Sequence, residues 1–151
     1  RGKRNEPGYV KLVAEELARL HNISYEELAE EYKRSDVAVH VESFDRKNSR
    51  ITRLSFSTKI IDCMSSGCAI LAIGPRTQAG IAYLKENDAA VCVNDIRELN
   101  ATIATLVKDT NLIRAYASKA NRLGIKNHRQ DEIEKKLRQD FYDISAGIFL
   151  D

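Results

Sequence analysis

The chain has 151 residues, of which 43% are hydrophobic and 30% charged, with a formal net charge of +2 at pH 7. That length suits one domain with a real core, and so small a charge does not argue for nucleic acid as a partner. No apolar run approaches the roughly 20 residues of a membrane-spanning helix, and no signal-peptide pattern opens the chain, which predicts a cytoplasmic protein without a transmembrane segment.

In chain order, residues 1–5 form a basic, polar arm. Pro7 suits a helix start, where its missing amide is not needed, and Val10, Val13, Ala14, Leu17, Ala18 and Leu20 then give one apolar stripe. His21-Asn22 breaks that helix. Ser24 and Glu27 stand at capping-box spacing and open a second helix carrying Leu28, Ala29 and Tyr32, ending near Arg34. Residues 36–41 predict a strand, with Val37, Val39 and Val41 on one face and Ala38 and His40 on the other.

Residues 42–54 are polar and basic, with Arg46, Lys47, Arg50 and Arg53, and predict a loop. It leads from a strand end towards a helix, the place where ligands gather in open α/β sheets. Residues 55–75 are the stretch around which the rest is organised. Ser55 or Ser57 can cap a helix through its side-chain oxygen, and Ile60, Ile61 and Met64 make its apolar face. Gly67 stops it, since a residue without Cβ takes the left-handed cap cheaply. Residues 69–73 are an unbroken apolar run, as in a strand buried on both faces, and Gly74-Pro75 ends it. A serine-rich helix start held beside a buried parallel strand favours an anion, above all a phosphate, through its free amides and dipole.

Thr77 is placed to cap a helix through Lys85, with Ile81 and Leu84 facing inward, and residues 89–93 predict a third strand. Asp95 and Glu98 signal another helix start, followed by the stripe Leu99, Ile103, Leu106 and Val107. Asp109 caps the next helix, with Leu112, Ile113, Tyr116 and Ala120, until Gly124 ends it. A charged final helix over 129–144 carries Ile133, Leu137, Phe141 and Ile144 at helical spacing. No internal repeat or low-complexity segment is present. The order predicts an α/β, three-layer, Rossmann-like half-domain: a small parallel sheet with strands near 36–41, 69–73 and 89–93, right-handed crossovers and helices on both faces. It divides into an N-terminal helical segment over 1–35, the half-domain over 36–127, and a C-terminal helix over 128–151 that packs back on it.

From Ser24 to Asn127 the pieces also come in a family order. Ile23-Ser24-Tyr25-Glu26-Glu27-Leu28 precedes Tyr32-Lys33-Arg34-Ser35-Asp36-Val37. Asp62-Cys63-Met64-Ser65-Ser66-Gly67-Cys68-Ala69-Ile70-Leu71 is similar to a Glu-Ala-Met-Ala-x-Gly-x-Pro-Val-Ile passage, and the Ala79-Gly80 helix and residues 89–107 follow. This span resembles the C-terminal, donor-binding domain of GT-B glycosyltransferases, the retaining family that uses nucleotide sugars. Ser55-Phe56-Ser57-Thr58-Lys59 resembles a subgroup with Ser/Thr-Lys before the central helix. The resemblance implies a nucleotide diphosphate-sugar as donor substrate and no further cofactor. It aligns Asp62 with the glutamate that holds the nucleotide ribose, and puts Leu54 where the family has an earlier glutamate. It further implies that the first strand-loop of the domain, with an arginine and lysine on the donor diphosphate, and the N-terminal acceptor-binding domain are missing, so that the chain is inactive alone.

Arg1-Gly2-Lys3-Arg4-Asn5-Glu6-Pro7-Gly8-Tyr9-Val10 and the residues to Ala29 resemble the C-terminal passage of TatD-type metal-dependent deoxyribonucleases, whose histidine and carboxylate ligands lie upstream of it. Two resemblances over 1–30 and 24–127 imply a fused or chimeric chain, or a fragment.

The candidate donor-binding residues are therefore Ser55, Phe56, Ser57, Thr58, Lys59 and Asp62, with no catalytic or metal residue assigned. For each a plainer reading stands beside this one. The serines and Thr58 cap a helix, Lys59 is solvent-exposed, and Asp62 pairs with Lys59. The basic residues over 46–53 are a solvated loop, His40 is a packed core histidine, and His21 and His128 are helix-end residues. Cys63, Cys68 and Cys92 lack the spacing and histidine partners of a metal site and read as small buried hydrophobes in a reducing cytoplasm. The function expected is donor binding in sugar transfer; the alternative is a non-catalytic domain that folds and self-associates as a homo-oligomer.

Overall fold

The computed structural model describes residues 24–147. The basic arm, the helix expected over 10–20 and His21 lie outside them. The predicted class holds: a three-stranded, all-parallel sheet in the order β1-β2-β3 has helices on both faces. Helix α1, Tyr25–Lys33, opens with the expected capping box, in which the Glu27 amide donates to Ser24 Oγ (3.2 Å) and the Ser24 amide to Glu27 Oε2 (2.7 Å). Strand β1, Val37–Val41, pairs Val37 with Ala69 and Val41 with Ile73 of β2, Ala69–Ile73. Every residue of β2 is buried, as an apolar run in a central strand requires.

The first face of the sheet, through Ala38, Ile70 and Ala72, packs on Ile60, Cys63 and Met64 of α3, Thr58–Ser65, and on Ile81 and Leu84 of α4, Ala79–Glu86. The second face presents Leu71, Ile73 and, from β3, Val91–Val93, Val93. It is covered by Leu106 of α5, Leu99–Lys108, and by Leu112 and Ile113 of α6, Thr110–Asn127. Helix α6 serves both layers, since its later residues Ala120 and Leu123 join the first cluster. The cover of the second face stops short of β1, where Val39 and Val41 are 56% and 63% exposed.

Several boundaries differ from expectation. The polar stretch 42–54 contains a helix, α2, Arg46–Thr52, because Asp45 caps it by accepting from the amides of Lys47 and Asn48. Gln78, not Thr77, precedes α4, and β3 begins at Val91 after two buried alanines. Asp95 caps a single 3-10 turn, Ile96–Glu98, before α5 begins. Gly124 does not end α6. A Cβ there would stand 3.0 Å from Met64 Cβ, so this glycine lets α6 lie close against α3. Gly67, by contrast, does end its helix, with φ +82°. The last helix, α7, Gln130–Ser145, forms as expected, and none of its residues is buried.

Candidate functional site

At the C-terminal end of β1, residues 39–42 face the start of α3 across a cleft of about 690 Å³. Ser55, Phe56, Ser57, Thr58 and Lys59 all line it, so five of the six predicted residues meet in one place. Ser57 is the N-cap of α3 by backbone geometry, but its side chain makes no capping bond. Its carbonyl accepts from the Ile60 amide (3.1 Å), and the amides of Thr58 and Lys59 have no partner among the described residues. This departs from the expected serine cap: the helix start keeps donors open towards the cleft. Lys59 is exposed and makes no ion pair among the described residues.

The turn itself is held from outside the cleft. The Phe56 ring meets Tyr83 edge-on at 5.2 Å and stacks on His128 at 5.8 Å between centroids. Tyr83 Oη and His128 Nε2 lie 2.9 Å apart, and Asn127 Nδ2 donates to Tyr83 Oη (2.9 Å). His128, which caps the end of α6, thus fixes Phe56, and through it the first residues of the site. On the other side Gln78, 1% exposed, donates to Ser49 O (3.0 Å) and Ser49 Oγ (2.9 Å) and accepts from Thr52 Oγ1 (3.3 Å). The Ala79 amide donates to Arg53 O (2.9 Å). The buried glutamine and this backbone bond pin α2 to the start of α4. Arg46, Lys47 and Arg50 line a separate surface hollow of α2.

Asp62 stands apart. It lines a hollow of about 200 Å³ with Leu28, Tyr32 and Lys33, and it makes no ion pair with Lys59. Tyr32 borders both spaces. Burial, and then the neighbouring Cys63 thiol, pushes the Tyr32 hydroxyl up to about 12. Burial likewise raises the Cys63 thiol, so both groups are neutral at pH 7 and neither is an activated nucleophile. All three cysteines are free; Cys63 and Cys68 are buried, and the Cys68 thiol donates to Ser35 O (3.1 Å). Among the described residues no three His, Cys, Asp or Glu side chains gather as metal ligands, and no helix is long and apolar enough to cross a membrane.

The site has two members that the sequence reading did not select. His40, 5% exposed, is not only a packed histidine. Its Nε2 lies 3.1 Å from Glu42 Oε1, and both side chains line the cleft. The available signal was their spacing, because residues two apart at the end of a strand point to one face.

No curated protein and no solved structure matches the chain. A family model described as glycosyl transferase-like matches residues 3–138. With that much of its length matched, the chain belongs to the glycosyl transferase-like family.

Proposed function

We propose that this chain is the donor-binding part of a retaining, GT-B-type glycosyltransferase, which moves a sugar from a nucleotide diphosphate-sugar to an acceptor. Family membership supports a role in glycosyl transfer in general. The observation that carries the finer reading is the uncapped start of α3, with the amides of Thr58 and Lys59 open towards the cleft. Lys59 in a first helical turn opposes the dipole, an arrangement that a bound diphosphate would reverse into an attraction. Asp62, one turn on, takes the ribose hydroxyls, and the hollow towards α1 receives the nucleoside. The described residues hold the donor, and acceptor binding is left to another domain. Free cysteines fit a cytoplasmic setting.

The cleft is open, so charges in it are screened and binding is weak, on the order of millimolar or roughly 4 kcal/mol. NMR titration with UDP, GDP and the parent nucleosides tests the reading. Lys59→Ala is expected to weaken the diphosphates about two- to fivefold and leave the nucleosides unchanged. Asp62→Ala is expected to weaken both. Shifts scattered away from residues 55–67, or equal losses in both variants, would leave these residues as surface and cap residues only.

A second reading, self-association, is favoured by one observation. Among the described residues strand β1 is an edge of the sheet, and its Val39 and Val41 are exposed. Such an edge offers amides, carbonyls and apolar side chains to a second copy. Light scattering that gives a monomer mass at high protein concentration would remove it.

A further inference from the structure

We propose that Glu42 is the residue that recognises the donor's sugar, accepting hydrogen bonds from its hydroxyls, with His40 holding the carboxylate in place. This inference rests on the donor-binding reading and extends it to a third part of the ligand.

Glu42 is built into the cleft. Its amide donates to Ile73 O (2.8 Å), which carries the β1–β2 ladder one residue past the strand and ties its backbone to the most buried element of the fold. Its side chain is 15% exposed, and Oε1 is engaged by His40 Nε2. Oε2 has no partner among the described residues. Yet no buried side-chain oxygen there lacks a hydrogen bond, so Oε2 reaches solvent, and the space that Glu42 lines is the cleft. A half-satisfied carboxylate on a rigid strand end is an oriented acceptor, and ionised carboxylates make hydrogen bonds about twice as strong as neutral ones.

The neighbouring chain leaves room for it. A Cβ on Gly74 would stand 2.8 Å from Glu42 Cβ, and φ at Gly74 is not positive, so space rather than backbone freedom is what this glycine supplies. Charge then decides which part of the ligand Glu42 can touch. The carboxylate repels phosphate and has no hydrogen to give, so it suits a neutral, donor-rich group such as a sugar ring. With the diphosphate at Thr58 and Lys59 and the ribose towards Asp62, the wall formed by Glu42 is left for the sugar.

The test compares UDP with UDP-glucose and GDP with GDP-mannose, titrated by NMR against the full chain. In the wild type at least one sugar nucleotide should bind about tenfold more tightly than its parent diphosphate, the scale of one hydrogen bond to a charged group. Glu42→Gln should abolish that advantage, and should leave the diphosphate unchanged or a few-fold tighter because a negative charge has gone. Glu42→Asp keeps the charge but withdraws it, so the advantage should be lost with no gain for the diphosphate. This second variant carries the test should the first not fold. Equal losses for diphosphate and sugar nucleotide, an advantage that survives both variants, or no advantage with either pair would overturn the proposal. Failure of the wild type to bind any diphosphate would overturn the phosphate reading of α3, and this proposal with it.

Discussion

Helices α3 and α7 carry the same kind of apolar stripe and meet opposite fates. In α3, Ile60, Cys63 and Met64 are 3% exposed or less. In α7, Ile133, Leu137, Phe141 and Ile144 recur at helical spacing and are 51–65% exposed. Periodicity reports which side chains share a face, not whether anything covers that face. Helix α3 connects two adjacent parallel strands, and a crossover of that kind must lie on the sheet. Helix α7 follows the last strand, and no later described element draws it back. Pairs one turn apart brace it instead: Lys136 Nζ with Asp140 Oδ1 (3.1 Å), Arg138 Nη2 with Glu134 Oε1 (2.6 Å), and Gln139 Nε2 with Asp143 Oδ1 (2.8 Å). Such pairs support an exposed helix at a few tenths of a kcal/mol each.

The largest expected difference lies between single truncations in the two stripes. Ile60→Ala should cost about 2–5 kcal/mol in urea unfolding, through lost burial and the cavity left behind. Leu137→Ala should change stability by no more than about 0.5 kcal/mol. Similar losses for both would mean that α7 is covered in solution, and the comparison would break.

Glycines sharpen the same contrast at intermediate size. A Cβ at Gly80 meets Ile60 Cδ1 inside the packed layer. Gly80→Ala should therefore cost about 1–3 kcal/mol by overpacking. Gly67→Ala meets no atom within 4 Å and is opposed only by φ +82°, so it should cost about 1–2 kcal/mol from backbone strain alone. Thermal unfolding of both variants separates crowding from strain if the packed site shows the larger shift.

The smallest effect belongs to a locally held group. The Arg97 side chain and amide both donate to the Asp95 carboxylate and hold it down to about 2, below its ordinary 3.8. A folded-state value below the unfolded one stabilises the fold above the unfolded value and is lost as pH falls through the folded one. Asp95→Asn should remove a small part of the acid dependence between about pH 4 and pH 2, measured by unfolding at stepped pH. A change outside that window would point to a different group.

Much of the site was legible before any tertiary contact was known, because its signals are local. The serine-rich turn, the stripe of α3, the left-handed Gly67 and the apolar run of β2 each follow from spacing within one element. The pieces that were not legible depend on distant residues. Gly124 resembles a helix terminator until Met64 is set beside it. Phe56 lines the cleft, but that Tyr83 and His128 hold its ring was not readable from its neighbours in the chain. Asp62 lies one turn from Lys59, yet the side of α3 it takes faces α1 rather than the cleft.

The sequence by itself determined the order of the strands and of the helices other than α2, the parallel sheet and a helix start at Ser55 or Ser57, since turns, caps and hydrophobic period act over a few residues. Tertiary structure alone decided which faces are covered, which amides stay open and that the start of α3 stands across the cleft from His40 and Glu42. Burial and charge pairing depend on what lies across the fold, and spacing along the chain carries no record of it.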